Sequence, residues 1–211
     1  MNQKKNKLDK VELNACFLNK KNPFELFKVW MAKAKKTEIN DPNALALATA
    51  DSKKQPSVRM VLLKGLTGKE FIFYTNLKSK KSHELIKNPK ASMCFHWKSL
   101  RRQVRVDGMV KKVSKKIADQ YFNSRPYGSR IGAWASIQSA PMQSRADLLK
   151  KIQEFKKKFP ENRKVPRPPY WSGWALQPKE IEFWLDGENR IHERLKYKKF
   201  GSSWKKQILY P

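Results

Sequence analysis

This 211-residue chain is short of acid, cysteine and long apolar runs, and each shortage excludes something. Only 18 Asp and Glu stand against 47 Lys and Arg, for a formal net charge of +29. No apolar run approaches the ~18 residues that a membrane-spanning helix needs, so no membrane association is expected. The start, Met1-Asn2-Gln3-Lys4-Lys5, leads into no apolar stretch and predicts no secretory signal. Cys16 and Cys94 are the only cysteines and have no metal-ligand spacing. They read as free thiols of a reducing compartment, which places the protein in the cytoplasm. HExxH, CxxC and Ser-His-Asp patterns are missing, and His83 and His96 fall in different kinds of element, so no metal site is expected. The chain also lacks a P-loop, a glycine-rich dinucleotide loop and βαβ alternation, which argues against a nucleoside triphosphate or a Rossmann-type fold.

The positive charge is mostly lysine, 36 Lys against 11 Arg. Nucleic-acid readers lean on Arg for bidentate contacts. Here Lys is scattered over residues 33–36, 78–81, 111–116, 150–158 and 196–206. That spread predicts salt-sensitive, nonspecific polyanion binding and no specific nucleic-acid partner. Hydrophobic content is only 39%, but seven Trp and eleven Phe supply large surfaces for a core.

Residues 1–21, rich in Lys and Asn, predict a flexible basic segment, and residues 22–211 a single domain. Asn22, Pro23 and Glu25 mark a helix start, followed by a stripe of Leu26, Trp30 and Ala34 widened by Phe27 and Met31. Short strands are expected at 44–50, 57–64, 70–75, 91–97 and 103–113. Further strands are expected at 171–176, 180–185, 193–198 and 204–210. Helices are expected at 79–88, 115–123 and 144–159, the last with Leu148, Ile152, Phe155 and Phe159 as its buried stripe. The class is mainly antiparallel β with peripheral helices, and a closed barrel would remove the sheet edges.

Four stretches carry chemistry. In Arg190-Ile191-His192-Glu193-Arg194, an extended backbone would put Arg190, His192 and Arg194 on one face, a cationic surface suited to an anion. The alternative is a solvated edge strand. In Arg59-Met60-Val61-Leu62-Leu63-Lys64, apolar residues on both faces predict an internal strand. Its two end cations differ in parity, and each is costly there without an anion, unless both snorkel to solvent. Tyr74-Thr75 through Ser79-Lys80-Lys81 runs from a strand end to a helix start, with hydroxyls, amides and lysines fit for a phosphate. Tyr121 to Ser129 offers Tyr, Arg and Ser donors around a turn, again suited to a phosphate monoester. Gln103, Gln138 and Ser139 add neutral donors and acceptors.

Together these blocks resemble the pyridoxine/pyridoxamine 5′-phosphate oxidase family. The matching segments are RMVLLK (59–64), FYTNLKSKKSHEL (73–85), RRQVRVDG (101–108), YFNSRP (121–126), SRIGAWAS (129–136), QS (138–139) and EIEFWLDGENRIHERLKY (180–197), in family order. The resemblance implies an FMN-binding antiparallel split β-barrel, a homodimer and two FMN sites at the subunit interface. It further implies oxidation of a small phosphorylated pyridine substrate by O2. Pyridoxine or pyridoxamine 5′-phosphate would become pyridoxal 5′-phosphate, with release of H2O2 and, from the amine, ammonia. By the same resemblance Arg59, Lys80, Lys81, Gln138 and Ser139 would hold the FMN phosphate and ribityl chain. Met60, Val61, Leu62, Leu63, Lys64, Tyr74 and Thr75 would line the flavin, and Gln103, Trp184 and Arg194 would complete its site. Lys64, Tyr121, Arg125 and Ser129 would clamp the substrate phosphate. Arg190, Ile191 and His192 would meet the pyridine, with Arg190 and His192 nearest the reacting carbon. Family members commonly have Ser-Arg-Lys where this chain has Ser79-Lys80-Lys81. Lys80 lacks the bidentate fork, so somewhat weaker FMN binding is expected. The family's N-terminal Arg-Glu-Tyr segment has no counterpart before Asn22.

Overall fold

The computed structural model describes residues 13–211, and apolar patterning accounts for most of what it contains. Asn22 starts α1 (Pro23–Thr37): its side-chain oxygen accepts from the Phe24 N–H at 3.0 Å, and Pro23 sits where no helical donor is lost. The expected stripe is buried. Phe27 meets Phe71 edge-on at 4.9 Å and Phe95 at 5.0 Å, and Trp30 meets Phe183 at 5.2 Å. Each large apolar side chain taken from water in this way contributes roughly 1.5–3 kcal/mol, so α1 is fixed by its aromatic face.

The strands are β1 (Ala44–Ala50), β2 (Pro56–Leu62), β3 (Gly65–Leu66), β4 (Phe71–Asn76), β5 (Lys90–Trp97), β6 (Arg102–Lys112), β7 (Trp171–Leu185), β8 (Glu193–Phe200) and β9 (Ser203–Leu209). All pair antiparallel in the order β2-β1-β5-β6-β7-β4-β3, with β8 on β7 and β9 on β8. The helices after α1 are α2 (Lys80–Lys87), α3 (Lys115–Asn123), α4 (Tyr127–Ala135) and α5 (Arg145–Lys158). The mainly antiparallel class expected from the sequence is what forms.

Several expectations are corrected. The two strands expected at 171–176 and 180–185 are one, β7: Pro178 falls at a register shift opposite Asp107 and Gly108, where a residue without an N–H is tolerated. β2 is not internal but the end of the sheet path, with Val58 and Met60 exposed. Helix α4 was missed, although Tyr127, Ile131 and Ala135 repeat at helical spacing after Pro126. The α5 stripe faces α4 but is only half-buried, because the helix is peripheral and packs through Trp134 against Phe155 and Phe159. The expectation of a flexible segment lies, for residues 1–12, outside the described residues. Residues 13–21 are instead docked. Phe17 is buried, the Cys16 carbonyl accepts from Trp30 Nε1 at 2.8 Å, and the Lys20 carbonyl accepts from Tyr197 Oη at 2.9 Å.

The register shift leaves no room at Gly108, where a Cβ would stand 2.1 Å from the Gln177 carbonyl oxygen. Gly68, in an exposed turn, has nothing within 4 Å of such a Cβ. Gly108→Ala is expected to destabilise by more than about 1 kcal/mol in denaturant unfolding, while Gly68→Ala stays within about 0.5 kcal/mol.

Candidate functional site

One cavity of about 1080 Å³ opens between β2, β4 and helices α2, α3 and α4. Ligand pockets commonly run to roughly 300–1,000 Å³, so this one has room for a cofactor and a substrate together. Of the expected site residues it gathers Arg59, Met60, Val61, Leu62, Lys64, Tyr74, Thr75, Lys80, Lys81, Tyr121, Arg125, Ser129, Gln138 and Ser139. Leu63 is not among them: it is buried in the core, its backbone paired with Asn43. Arg59 and Lys64, of opposite parity, line the same cavity because β2 ends at Leu62 and the chain turns before Gly65.

The floor of the cavity is a set of cations with unequal partners. Glu84, buried on α2, accepts hydrogen bonds from Thr49 and Ser57 and pairs with Arg59 Nη2 at 3.2 Å. Burial alone would raise its pKa, but these donors and the Arg59 charge outweigh burial and hold the carboxyl below the usual range. Arg59 also donates to the Leu47 carbonyl at 3.1 Å and to Ser57 Oγ at 2.6 Å, so its plane is fixed. Lys80 is exposed and lies 3.9 Å from Glu84. Lys81 differs. It is buried, yet its Nζ meets only Thr75 Oγ1 at 3.1 Å, Gln138 Oε1 at 3.2 Å and Ser79 Oγ at 3.4 Å, all neutral. Burial, then the nearby Arg59 charge, lowers its pKa to about 8, against a smaller opposing pull from Glu84.

The wall is aromatic. Tyr74 stacks on Tyr121 at 3.9 Å and on Trp171 at 5.4 Å, with the ring planes nearly parallel. The Arg125 guanidinium lies 4.9 Å from the Trp171 ring, and its buried Nη1 has no hydrogen-bond partner. Burial raises the pKa of both Tyr74 and Tyr121, which keeps the two hydroxyls protonated donors at neutral pH. A buried lysine without a carboxylate and a buried arginine donor without an acceptor are costly unless an anion meets them. This donor set fits two phosphate groups, one beside Lys81 and one beside Arg125.

The remaining expected residues form a second cluster. Gln103 pairs across from Trp184, and Trp184 across from Arg194, on β6, β7 and β8. Arg194 is held by Glu182 at 2.9 Å and donates to the Tyr210 carbonyl at 3.0 Å; Arg105 takes the other Glu182 oxygen at 2.9 Å. The extended reading of 190–194 is corrected. Glu188–Arg190 is a 3-10 turn with Asn189 and Arg190 at φ 53° and 64°, and strand geometry begins at Glu193. The edge-strand alternative falls too, since β8 lies between β7 and β9. None of Gln103, Trp184, Arg190, Ile191, His192 or Arg194 lines the cavity. Trp171, on the cavity, and Trp184 sit 13 positions apart on β7, on the order of 40 Å along a strand.

Sequence reasoning missed Glu84, Glu182, Asp186 and Trp171. A signal existed for Glu182: an acid within Ile181-Glu182-Phe183-Trp184 is costly unless paired.

Fold and site together define an antiparallel split-barrel protein with a cation-floored cavity and a separate cationic strand cluster. Comparison with known proteins goes further. Residues 31–159 match the family described as "Pyridoxamine 5'-phosphate oxidase", and residues 171–211 the "Pyridoxine 5'-phosphate oxidase C-terminal dimerisation region". The pyridoxine/pyridoxamine 5′-phosphate oxidase of Pelagibacter ubique is 61% identical over the whole of both chains. That of Bartonella quintana is 50% identical, covering 96% of this chain and 99% of its own. Among solved structures, PhzG from Burkholderia lata, crystallised with tetrahydrophenazine-1-carboxylic acid, superposes with a TM-score of 0.88 at 30% identity, over 96% of this chain and 98% of its own. An FMN-binding protein of Nostoc punctiforme shares the fold, with a TM-score of 0.73 at 14% identity, over 90% of this chain and 98% of its own. The chain belongs to the pyridoxamine 5′-phosphate oxidase family.

Because an anion favours protonated Lys81, binding is linked to its titration. Inorganic phosphate followed by calorimetry from about pH 7 to 9.5 should weaken above about pH 8, by up to about tenfold per unit, and Lys81→Met should flatten that slope.

Proposed function

We propose that this chain is an FMN-dependent oxidase that converts pyridoxine or pyridoxamine 5′-phosphate to pyridoxal 5′-phosphate, with O2 as acceptor. The products would be H2O2 and, from the amine, ammonia. The observation that carries the reading is the pair of cations without a carboxylate partner, Lys81 and Arg125, in one cavity, in a chain 61% identical to an oxidase of that name. The likeness to PhzG raises a carboxylate substrate as a rival. The half-buried Arg125 with the Tyr121 hydroxyl and Lys64 favours a dianionic phosphate.

Lys81, Arg59 and Lys80 would hold the FMN phosphate, with Thr75, Gln138 and Ser139 along the ribityl chain. Met60, Val61, Leu62 and Tyr74 would border the ring. Bound there, FMN supplies the hydride acceptor and the route to O2. The protein's part is positioning: Arg125, Tyr121, Ser129 and Lys64 would anchor the substrate phosphate, and an anchored ester reacts as a neighbour rather than as a solute. The parallel rings of Tyr74, Tyr121 and Trp171 would form an apolar wall beside the reactants.

The protein forms a homodimer, consistent with its matched dimerisation region. We infer that the second subunit supplies Gln103, Trp184, Arg190, Ile191, His192 and Arg194 to the first subunit's cavity. Exposed Val58 and Met60 on the end strand offer it an apolar seat. Two free half-buried thiols and the absence of a long apolar helix among the described residues fit a cytoplasmic enzyme.

The dimeric site is tested by hybrids. Lys81→Met protein and Arg194→Ala protein, each inactive with pyridoxamine phosphate, are mixed and reassociated. About a quarter of wild-type turnover should return, since each hybrid dimer carries one intact composite site; no recovery would show that each subunit works alone. In separate variants, Arg190→Ala should stay yellow and dimeric but lose one to two decades in turnover, matching a charge-assisted contact of about 1.5–3 kcal/mol. Arg194→Ala should instead lose flavin, read by absorbance after gel filtration.

A further inference from the structure

The turn joining β7 to β8 grips one imidazole nitrogen twice. Asp186 Oδ1 lies 3.2 Å from Nδ1 of His192, and the Gly187 N–H donates to the same nitrogen at 3.2 Å. Asp186 is itself anchored. Its Oδ2 accepts from Arg101 Nε at 2.9 Å, and its backbone N–H donates to the Arg101 carbonyl at 3.0 Å. The imidazole lies 4.6 Å from the Trp184 ring. Gly187 admits no side chain: a Cβ there would fall 1.9 Å from the Ile191 carbonyl oxygen. The backbone therefore presses this amide against the ring.

Nδ1 can serve its two partners only in alternation. To accept from Gly187 it must carry a lone pair, so the neutral ring then holds its proton on Nε2. To donate to Asp186 it must be protonated. The neutral tautomer with its proton on Nδ1 would set N–H against N–H at Gly187, whose amide has no other acceptor among the described residues. Asp186 does not depend on that proton: Arg101 meets its Oδ2, and the carboxylate is partly exposed, so water can serve Oδ1 while the ring is neutral. Two states remain, the neutral ring bonded to Gly187 and the imidazolium bonded to Asp186, and both carry a proton on Nε2.

We propose that Asp186 and the Gly187 amide fix His192 as a hydrogen-bond donor at Nε2 in both protonation states. His192 then serves the reaction by donating to an electron-rich substrate atom and not as a base. Asp186 is its positioning residue and Arg101 the anchor of Asp186. The inference rests on the reading above that His192 meets the substrate.

The test uses the whole dimer labelled with 15N-histidine, with His192→Asn assigning the signal among three histidines. The neutral His192 ring should show a protonated Nε2 and a lone pair on Nδ1; a proton on Nδ1 overturns the proposal. Asp186→Ala should lower kcat about tenfold with KM and Tm close to wild type. Asp186→Asn, which restores an acceptor oxygen, should recover most of that loss. If Asp186→Ala changes only Tm and leaves both the 15N signature and kcat alone, Asp186 is merely structural and the proposal fails. The spectrum needs no turnover. The expected tautomer in a protein that does not oxidise pyridoxamine phosphate would support the hydrogen-bond assignment and overturn the functional reading alone.

Discussion

Strand β7 is the constraint on which the rest depends. Fifteen residues long, it pairs with β6 along most of its length, with β4 over its first part and with β8 over its last. Its start carries Trp171 into the cavity wall and its end carries Trp184 under His192. A paired strand does not fold back on itself, so one chain keeps these two groups apart. The division of the site between subunits proposed above would thus have a backbone cause. The register shift at Gly108 and Pro178 lets β7 bend between its two sets of partners without losing its pairing with β6.

Placement of the few acids decides which cations are available. Glu84 stands behind Arg59, Glu182 behind Arg194 and Asp186 behind His192. In each case the carboxylate orients its partner, and behind the two arginines it also neutralises part of the charge. Lys81 and Arg125 have no such partner and bear the cost of burial alone. In a chain of net charge +29, excess charge by itself marks nothing; the distinguishing feature is a cation without its acid that also lines a cavity, unlike Arg102, which is buried over Trp30. Lys80 is exposed and pairs only loosely with Glu84, while Arg59 and Lys81 occupy the floor.

Much of the fold was legible because burial imposes a period. The α1 stripe, β1 at 44–50 and α3 at 115–123 follow apolar spacing closely. Legibility failed where a tertiary partner overrides local pattern. Pro178 reads as a strand break until β6 supplies the shifted register opposite it. Apolar β2 reads as internal, although it ends the sheet path and exposes Val58 and Met60, a face suited to a second subunit. Phe17 looks stranded in a polar segment, yet Trp30 stands 5.5 Å away to receive it. The cavity residues were legible from short blocks of donors, whereas the acids behind them were not, since sequence separation hides pairs such as Arg59 with Glu84.

The stretch from Asp186 to His192 is where strand alternation fails most completely and where the proposed substrate contacts concentrate. Arg190 in a left-handed conformation costs on the order of 1–3 kcal/mol. Asn189, also left-handed, costs less, since its short side chain tolerates that region. Hydrogen bonds from Ile191 N–H to the Glu188 carbonyl and from His192 N–H to the Arg190 carbonyl, each 2.9 Å, hold the turn against that cost. An extended strand would have put Arg190, His192 and Arg194 on one face with equivalent roles. The turn separates them. Arg194 is locked into the sheet by Glu182, His192 is gripped at Nδ1, and the Arg190 side chain has no hydrogen-bond or ion-pair partner among the described residues. Strain in this turn therefore buys three different chemical states from a single run of cations, which regular β structure could not provide.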